Sequence, residues 1–416
     1  MEVYKFGGAS VKDAAAVKNV VRVLQELGTT QKLVVISAMG KTTNALERVV
    51  DAYFNTKSAI PEFIQDCITF HESIITQLFP QGHPVYSTIH SLFEDLKRFL
   101  VLNKSPQYDF VYDQVVCYGE LISTTIISAY LHEAGISNTW IDARELIKTD
   151  SSYRDARVHW EHTQAAIKKG VNTSTLSITQ GFIASDGNNF TTTLGREGSD
   201  YTGGIFAYCL NAHSLTIWKD VPGVLNGDPR VFEQTELLHQ ISYEEAIELA
   251  FYGASVIHPK TLQPLQRKEI PLYVKSFMHP ENAGTAVSKG QALVPQIPCY
   301  IVKKDQVLIS LSSLDFSFMM EDNISDVFKL LGTYKMKVDL IQNSAISFSV
   351  CVHDKFNNLE ALVTQLKGKF KVKVSTGVSL YTIRHATPKA LKIIEKDKTV
   401  LLKQVAQDTI QLITVS

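Results

Sequence analysis

The segment Thr193–Thr202, which reads TLGREGSDYT, concentrates groups that could hold an anion. Its glycines let backbone N–H groups approach a charged ligand closely, and Arg196 offers a guanidinium fork that fits a carboxylate or a phosphate. The apolar residues that follow suit the start of a helix, whose N-terminus favours anions. A solvated turn before a helix fits the same composition equally well. The segment therefore needs partners elsewhere in the chain before it indicates a site.

A second candidate is Lys5–Ser10, which reads KFGGAS and lies where the first predicted strand gives way to the first predicted helix. An open α/β sheet presents its ligand crevice at such a position. Gly7 and Gly8 would let N–H groups approach phosphate oxygens, and Lys5 could neutralise charge on a phosphoryl group in transfer. A tight turn with a surface lysine is the alternative, and two adjacent glycines do not decide between them.

Two further segments are weaker candidates. Trp218–Arg230 closes a predicted strand and then makes two turns, where Asp220 and Arg230 could frame a nucleotide. Proline- and glycine-rich loops with solvated charges are frequent, so a plain surface loop stays an open alternative to a nucleotide site. Gly119–Glu120 precedes a helical pattern at Leu121–Tyr130, and a glutamate that enters a helix is favourable to the helix dipole without any further role.

Familiar catalytic signatures are missing from the sequence. It contains no G-x-x-x-x-G-K-[ST] loop, no G-x-G-x-x-G fingerprint, and neither H-R-D nor D-F-G of protein kinases. The histidines, including His258, lack metal-ligand spacing, so we predict no metal held by the protein and expect a divalent metal to arrive with a nucleotide. The five cysteines are scattered and lack C-x-x-C spacing, which favours reduced, buried thiols.

Composition and charge narrow the class of protein. The 416 residues are 45% hydrophobic, which allows two or three packed domains. The net charge of -1 argues against a nucleic-acid or membrane surface, so an anionic substrate must be held by local charge. The N-terminus lacks a signal-like apolar run and no later run is long enough to span a bilayer, so we expect a cytoplasmic protein.

Alternating strand and helix patterns must position these candidates. The segment Asp13–Leu27 places Val17, Val20 and Leu24 on one helical stripe, and the stretch from Ala45 to about Val101 is predicted to be helical with breaks at prolines. This order predicts a largely parallel sheet covered by helices. The strands predicted to be buried on both faces are Val3–Phe6, Leu33–Ala38, Leu176–Ala184, Leu215–Val221 and Pro271–Phe277.

The pattern changes after about residue 290. A compact β-α-β-β-α-β order, typical of a small ferredoxin-like module, is followed by a second and shorter copy for which Ile297–Val302 could supply an extra strand. The predicted elements of the first copy are Val307–Ser312, Ile324–Tyr334, Lys337–Ile341, Ile346–Val352, Leu359–Leu366 and Phe370–Val374. Those of the second are Ser379–Ile383, Pro388–Ile394, Val400–Lys403 and Ile410–Val415.

Taken in order, six segments resemble those of aspartate kinases (aspartokinases). They are Lys5–Ser10, Ser37–Gly40 with Thr43–Asn44, Gly119–Glu120, Thr193–Thr202, Trp218–Arg230 and Tyr252–Pro259. The resemblance runs from residue 2 to about residue 285 and implies the amino acid kinase fold, an α/β sandwich around a mostly parallel open sheet. It implies a catalytic domain at 1–290 and a regulatory region at 297–416 that resembles paired α+β ACT modules. The first module would span about 305–376, and the second, abbreviated one about 377–416 plus a strand near 297–303.

The resemblance also implies an activity and a set of roles. The activity is transfer of the ATP γ-phosphoryl group, with Mg²⁺ bridging the phosphates, to the β-carboxylate of L-aspartate, the first step of the lysine, threonine and methionine pathway. Lys5 would stabilise the transferring group and Asp200 would orient Lys5. Aspartate would be bound by Thr43, Glu120, Arg196, Gly198 and Ser199. ATP would be bound by Lys5, Gly7, Gly8, Ser10, Lys219, Asp220, Leu225 and Arg230.

Three positions depart from the pattern of the resembling family. Ser255 stands where many members carry a nucleotide-contacting lysine, Lys219 replaces a common threonine, and Leu225 replaces a frequent aromatic residue. A non-catalytic amino-acid sensor is therefore an alternative to the enzyme, and a member of another amino acid kinase family, acting on glutamate derivatives or nucleotides, is a third hypothesis. An effector amino acid at the ACT modules and a homodimer or higher homo-oligomer are expected, with the identity of the effector left open.

Overall fold

The computed structural model describes residues 1–254, 257–315 and 317–415. The helices are α1 Ala14–Leu27, α2 Thr42–Asn55, α3 Ile60–Leu78, α4 Val85–Leu102, α5 Tyr108–Glu133, α6 Ala143–Leu146, α7 Trp160–Gly170, α8 Gly198–Leu210, α9 Tyr243–Tyr252, α10 Pro259–Lys268, α11 Glu321–Thr333, α12 Leu359–Lys367 and α13 Pro388–Glu395. The strands are β1 Glu2–Phe6, β2 Lys32–Ile36, β3 Thr139–Ile141, β4 Leu176–Gln180, β5 Ile183–Ser185, β6 Thr191–Thr193, β7 Ser214–Lys219, β8 Gln240–Ser242, β9 Leu272–Ser276, β10 Thr285–Ser288, β11 Cys299–Ser312, β12 Lys337–Asn343, β13 Ser347–His353, β14 Lys371–Arg384, β15 Thr399–Ala406 and β16 Thr409–Val415.

The chain divides into two compact units, which are described separately. The first comprises Met1–Val224, Leu237–Ile247 and Val256–Pro295. The second comprises Leu225–Glu236, Glu248–Ser255 and Gln296–Ser416. The domain boundaries expected from the sequence stay predictions, and these units differ from them by assigning two short segments before residue 290 to the second unit.

An eight-stranded sheet forms the centre of the first unit, in the order β3-β4-β2-β1-β7-β9-β10-β8. Its neighbouring strands are parallel except for the antiparallel pair β9–β10. Strands β2 and β4 are buried along their whole length because helices cover both faces of the sheet, which explains their continuous apolar composition. The predicted fold class, a mostly parallel α/β sheet followed by α+β modules, is confirmed.

Helix α1 follows the predicted periodicity closely. Val17, Val20 and Leu24 form its buried stripe, and the Asp13 carboxylate accepts a hydrogen bond of 2.8 Å from the Ala16 N–H at the N-terminus of the helix.

Helix α5 is much longer than its predicted core at Leu121–Tyr130. It begins at Tyr108, so Glu120 lies in the middle of the helix and the expectation of a glutamate at a helix entrance was wrong. A Cβ on Gly119 would lie 3.0 Å from the Ala38 Cβ, which shows how closely α5 approaches the loop after β2. This close approach brings Glu120, the next residue of α5, within hydrogen-bond distance of the Ala38 N–H after β2.

The strand predicted at Leu176–Ala184 is broken in two. Strand β4 ends at Gln180, Phe182 adopts a left-handed backbone with a φ of 70°, and β5 pairs with β6 in a separate hairpin. Gly181 lies against Ser199, so the chain turns where a side chain would collide with the start of α8. Strand β7 likewise ends at Lys219, before the predicted end at Val221.

The second unit contains a six-stranded antiparallel sheet in the order β12-β13-β11-β14-β16-β15. Strands β11 and β14 are each fourteen residues long and run through both halves of the sheet. The prediction of separate short strands at Phe370–Val374 and Ser379–Ile383 was therefore wrong, because both belong to β14. The pairing of Cys299 with Arg384 and of Lys303 with Leu380 places the start of β11 beside the second half of β14.

Each half of this sheet has its own apolar core on the helical side. In one half, Val350 of β13 packs with residues of α11 and α12, including Val327 and Leu362. In the other half, Ile383 packs with Ile394 of α13. No helix in the described part of the chain is long and apolar enough to cross a membrane.

Candidate functional site

A pocket of about 280 Å³ lies in the first unit, at the carboxyl edge of its parallel sheet. The end of β1, the loop after β2, the middle of α5, the turn after β4 and the start of α8 form its walls. Its lining residues are Lys5, Gly8, Ser37, Ala38, Gly40, Thr43, Glu120, Phe182, Gly195, Glu197, Gly198, Ser199 and Asp200. An edge of this kind is where open α/β sheets bind ligands.

A buried ion pair between Lys5 and Asp200 forms the floor of the pocket. The Lys5 Nζ lies 2.6 Å from the Asp200 Oδ1, and the Lys219 Nζ lies 3.5 Å from the Asp200 Oδ2. Burial opposes ionisation of Asp200, but the ammonium groups of Lys5 and Lys219 outweigh it and hold the pKa of that carboxyl below its ordinary value. Asp200 is thus a buried anion that fixes a cation at the end of β1.

Glu120 presents a carboxyl group to the same pocket from helix α5. Burial raises the pKa of Glu120 to about 8. The hydrogen bond of 3.4 Å that its Oε1 accepts from the Ala38 N–H acts in the opposite direction, because it favours the ionised carboxylate. Its Oε2 is buried and has no hydrogen-bond partner within the described residues. A buried oxygen of this kind can accept a hydrogen bond from a cationic ligand group, which would favour the ionised carboxylate.

The loops after β1 and β2 pack tightly on each other. A Cβ on Gly8 would lie 2.9 Å from the carbonyl oxygens of both Ala38 and Gly40, and the Gly40 N–H donates to the Gly8 carbonyl. Glycine is therefore required at position 8 for the two backbones to meet. The contact places Thr43, in the first turn of α2, beside the glycine turn that follows Lys5.

The start of α8 forms the opposite wall of the pocket. Glu197 has a left-handed backbone with a φ of 55° just before the helix begins at Gly198. The Thr202 hydroxyl donates to the Gly198 carbonyl and accepts the Phe182 N–H, which ties the turn after β4 to this helix. The lining includes Glu197 but not its neighbour Arg196, whose side chain is exposed.

A buried carboxyl group anchors the segment that leads into this wall. Asp113 of α5 accepts hydrogen bonds from the N–H and hydroxyl of Thr193 and from the Arg154 N–H. Burial raises the pKa of Asp113 to about 7, although these hydrogen bonds favour the ionised form. The helix that carries Glu120 therefore also holds the segment Thr193–Thr202 in place.

The structure brings together seven of the residues predicted to act at the site, namely Lys5, Gly8, Thr43, Glu120, Gly198, Ser199 and Asp200. Gly7 lies beside the Lys5 Nζ, and the hydroxyl of buried Ser10 lies 3.5 Å from the Trp218 carbonyl. Asp220 is exposed just after β7. The roles of all these residues stay predictions.

Two predicted nucleotide contacts, Leu225 and Arg230, belong to the second unit. Leu225 is half-buried, and the exposed Arg230 forms a bidentate ion pair with Asp228. Their predicted roles remain untested, and the departure at Ser255 lies outside the described residues.

Several lining residues were not among the predicted site residues. Ser37, Ala38 and Gly40 follow β2, so their position at the end of a strand adjacent to β1 was a usable signal. Phe182 and Glu197 carried no such signal, because their approach to the pocket depends on left-handed backbones within turns.

The described residues contain no group of three or more His, Cys, Asp or Glu side chains able to hold a metal ion. Asp200 is already paired with two lysines. The scarcity of free carboxylates among the described site residues fits a magnesium ion that is held mainly by nucleotide phosphates, because Mg²⁺ usually keeps few protein ligands.

Comparisons with known proteins agree with this architecture. Residues 1–276 match the family model described as the amino acid kinase family. The lysine-sensitive aspartokinase 3 of Escherichia coli (strain K12) is 30% identical over 395 residues, which cover 92% of this chain and 86% of the relative.

Two solved structures of E. coli aspartokinase III are similar over nearly the whole chain, each at 26% identity. The complex with lysine and aspartate (T-state) has a TM-score of 0.82 and covers 99% of this chain and 95% of that chain. The complex with aspartate and ADP (R-state) has a TM-score of 0.81 and covers 100% of this chain and 96% of that chain.

Proposed function

The chain belongs to the aspartokinases of the amino acid kinase family, and we propose from that premise that it phosphorylates the β-carboxylate of L-aspartate with ATP. A carboxylate oxygen of aspartate attacks the γ-phosphorus, the bond to the β,γ-bridging oxygen breaks, and ADP leaves. The product is 4-phospho-L-aspartate, which opens the lysine, threonine and methionine pathway. The acceptor is already an anion at neutral pH, so the step needs no general base.

One observation carries this proposal: the Lys5–Asp200 ion pair and the buried Glu120 carboxyl line the same pocket. Transfer between two anions needs positive charge and positioning more than covalent chemistry. Lys5 supplies that charge beside the glycine turn at Gly7 and Gly8, and Asp200 keeps its ammonium in place.

The acceptor is held from the other walls of the pocket. The Glu120 Oε2, which has no hydrogen-bond partner in the described structure, accepts a hydrogen bond from the ammonium group of aspartate, because a cationic partner stabilises a buried carboxyl group as an anion. Gly198 and Ser199 at the start of α8, with Thr43 of α2, close the pocket around the substrate. Arg196 is exposed and has a guanidinium able to pair with the α-carboxylate.

The nucleotide occupies the loops beyond β1 and β7. Gly7, Gly8 and Ser10 line its phosphates at the entrance to α1, and Lys219 and Asp220 lie at the end of the neighbouring strand. Leu225 and Arg230 stay predicted contacts. Magnesium, when bound to the phosphates, would neutralise part of their charge during transfer.

Regulation by an amino acid is part of the proposal. The related E. coli enzyme is named lysine-sensitive, and one of its structures holds lysine together with aspartate. We therefore infer an amino-acid effector that binds the C-terminal modules. A homodimer or higher homo-oligomer and a cytoplasmic location stay predictions.

The proposal is tested by measuring ADP release with a panel of acceptors. Aspartate, an N-acylated glutamate and a nucleoside monophosphate should be compared at equal concentration with Mg·ATP. We expect turnover with aspartate alone, and inhibition when lysine, threonine or methionine is added if one of them is the effector. Aspartate binding without ADP release would support an amino-acid sensor instead, and turnover with another acceptor would contradict the assignment of substrate.

A further inference from the structure

Asp200 is contacted by two ammonium groups from neighbouring parallel strands. Lys5 approaches its Oδ1 at 2.6 Å and Lys219 approaches its Oδ2 at 3.5 Å. Lys5 pairs with Ile217 in the β1–β7 register, so Lys219, two residues further along β7, points to the same face of the sheet. The two lysines therefore contact the same carboxylate from neighbouring strands.

The two ammonium groups differ in exposure. The Lys5 side chain is 9% exposed and lies at the pocket floor, whereas that of Lys219 is 21% exposed, and Asp200 is completely buried. When the Lys5 ammonium group also contacts a phosphoryl group, its ion pair with Asp200 weakens. The negative charge of Asp200 is then less well balanced in a site with little water. A buried carboxylate with a weakened partner is costly, so a second cation on its other oxygen preserves the arrangement.

We propose that Lys219 is a positioning residue for phosphoryl transfer, which keeps Asp200 charge-balanced and thereby leaves Lys5 available to the transferring group. This inference rests on the proposed kinase function and adds a residue to its machinery. Lys219 acts through Asp200, which distinguishes the role from a simple contact with nucleotide phosphates.

The charged groups around Asp200 support this assignment. Lys5 of β1 and Lys219 of β7 face it directly, while the pocket walls add the acidic Glu120 of α5 and Glu197 before α8. Neither of those acidic side chains carries positive charge, so neither can take the place of Lys219 beside Asp200.

The basic residues of the helices that pack on α8 act on other groups of that helix. The positive charge of Arg267 in α10 opposes the rise in the pKa of Tyr201 that burial causes, and the charges of Lys268 in α10 and Lys168 in α7 do the same for the pKa of Cys209. Loss of Lys219 would thus leave Lys5 as the single lysine that faces Asp200 among the described residues.

The expected signature is a shift in the pH dependence of turnover. Lys5 and Lys219 together hold the pKa of Asp200 below its ordinary value, so removal of Lys219 raises it. Asp200 would then be protonated at a higher pH, and the acid limb of the kcat profile would move upward. A lysine that served only the packing of β7 would not move that limb.

The test compares Lys219→Met, which keeps the apolar stem, with Lys219→Arg, which keeps the charge. Lys168→Met, on an exposed lysine of α7, is the matched control. For Lys219→Met we expect kcat to fall about 10-fold, equivalent to about 1.4 kcal/mol, and the acid limb to move to higher pH. ADP affinity should fall by a smaller factor than kcat, and Lys219→Arg should restore most of kcat. An unchanged kcat and acid limb, or a loss confined to ADP affinity, would overturn the proposal.

A second measurement separates this inference from the proposed function. If the wild-type protein shows no aspartate-dependent turnover, the kinase function fails. The effect of Lys219→Met on the urea midpoint can still be compared in the wild-type and Asp200→Asn backgrounds. We expect a lower midpoint in the first background and little change in the second; equal shifts in both would overturn the coupling between Lys219 and Asp200.

Discussion

A Cβ atom on Gly181 would lie 2.6 Å from the Cβ of Ser199, so the turn after β4 supports the pocket wall through a contact that only glycine permits. Gly181→Ala is expected to lower the free energy of unfolding by about 1–3 kcal/mol, because either the turn or α8 must shift. Since Ser199 lines the pocket, the KM for aspartate should rise several-fold. Urea denaturation and steady-state kinetics measure the two effects.

Gly187→Ala is the matched control, because a Cβ on Gly187 would have no neighbour within 4 Å. It should leave both stability and KM unchanged. Equal behaviour of the two variants would show that the contact with Ser199 does not shape the pocket.

Glu197 occupies a left-handed backbone position with a φ of 55°, where glycine is favoured. Glu197→Gly should therefore raise the free energy of unfolding by up to about 1 kcal/mol, whereas Glu197→Gln, which keeps the Cβ, should leave it nearly unchanged. Denaturant titration of the two variants separates strain from charge. If the glutamine variant gains as much stability as the glycine variant, carboxylate repulsion is the cause and the strain account is wrong.

Glu120 should release a proton when aspartate binds. Its pKa of about 8 leaves it mostly protonated at pH 7 in the empty pocket, and the substrate ammonium group favours ionisation. Calorimetric titrations at pH 7 in buffers of different ionisation enthalpy should report release of about one proton per aspartate. Glu120→Gln should abolish that release, and proton uptake by the wild-type protein would contradict the assignment.

The raised pKa of Glu120 also predicts how the stability of the ligand-free protein changes with pH. Between its ordinary pKa of 4.5 and the raised pKa of about 8, the folded state holds a proton on Glu120 that the unfolded state has lost. This contribution to stability is therefore full below pH 4.5 and is lost as the pH rises through 8. Glu120→Gln should remove that part of the pH dependence, which urea midpoints measured at several pH values would reveal.

Asp200→Asn should be strongly destabilising at pH 7, by about 3–5 kcal/mol, because it leaves the buried Lys5 ammonium without its anionic partner. The pKa of Asp200 is lowered in the folded state, so its contribution is present above its unfolded value of 3.8 and is lost as the pH falls through the folded value. The difference between variant and wild type should shrink accordingly in acid. Asp220→Asn, on an exposed carboxylate after the same sheet edge, should change stability by less than about 0.5 kcal/mol. Comparable losses in the two variants would contradict the role of burial.

Much of the fold follows from sequence periodicity alone. The strand that carries Lys5, the helix at Ala14–Leu27 and the strand at Ser347–His353 were predicted within a few residues, because each has a clear apolar period or a capping residue. The fusion of two predicted strands into β14 was missed, because a strand that continues through a polar stretch depends on partners far away in the sequence.

The site was predictable to the extent that it follows strand ends. Lys5 lies at the end of β1, where a parallel sheet binds ligands, and its glycine turn follows directly. The role of Glu120 was harder to predict, because Glu120 lies in the interior of α5 and reaches the pocket through the close approach at Gly119. The inward position of Glu197 results from one left-handed residue that no periodicity reveals.

Lys5 is expected to be essential for the formation of an acyl phosphate on aspartate by this chain. Hydroxylamine traps such a product as aspartyl hydroxamate, which can be measured directly with Mg·ATP and aspartate present. We expect hydroxamate formation by the wild-type protein and none above background by Lys5→Ala, with circular dichroism confirming that the variant is folded. Hydroxamate formation by folded Lys5→Ala at the wild-type rate, or none by the wild-type protein, would contradict it.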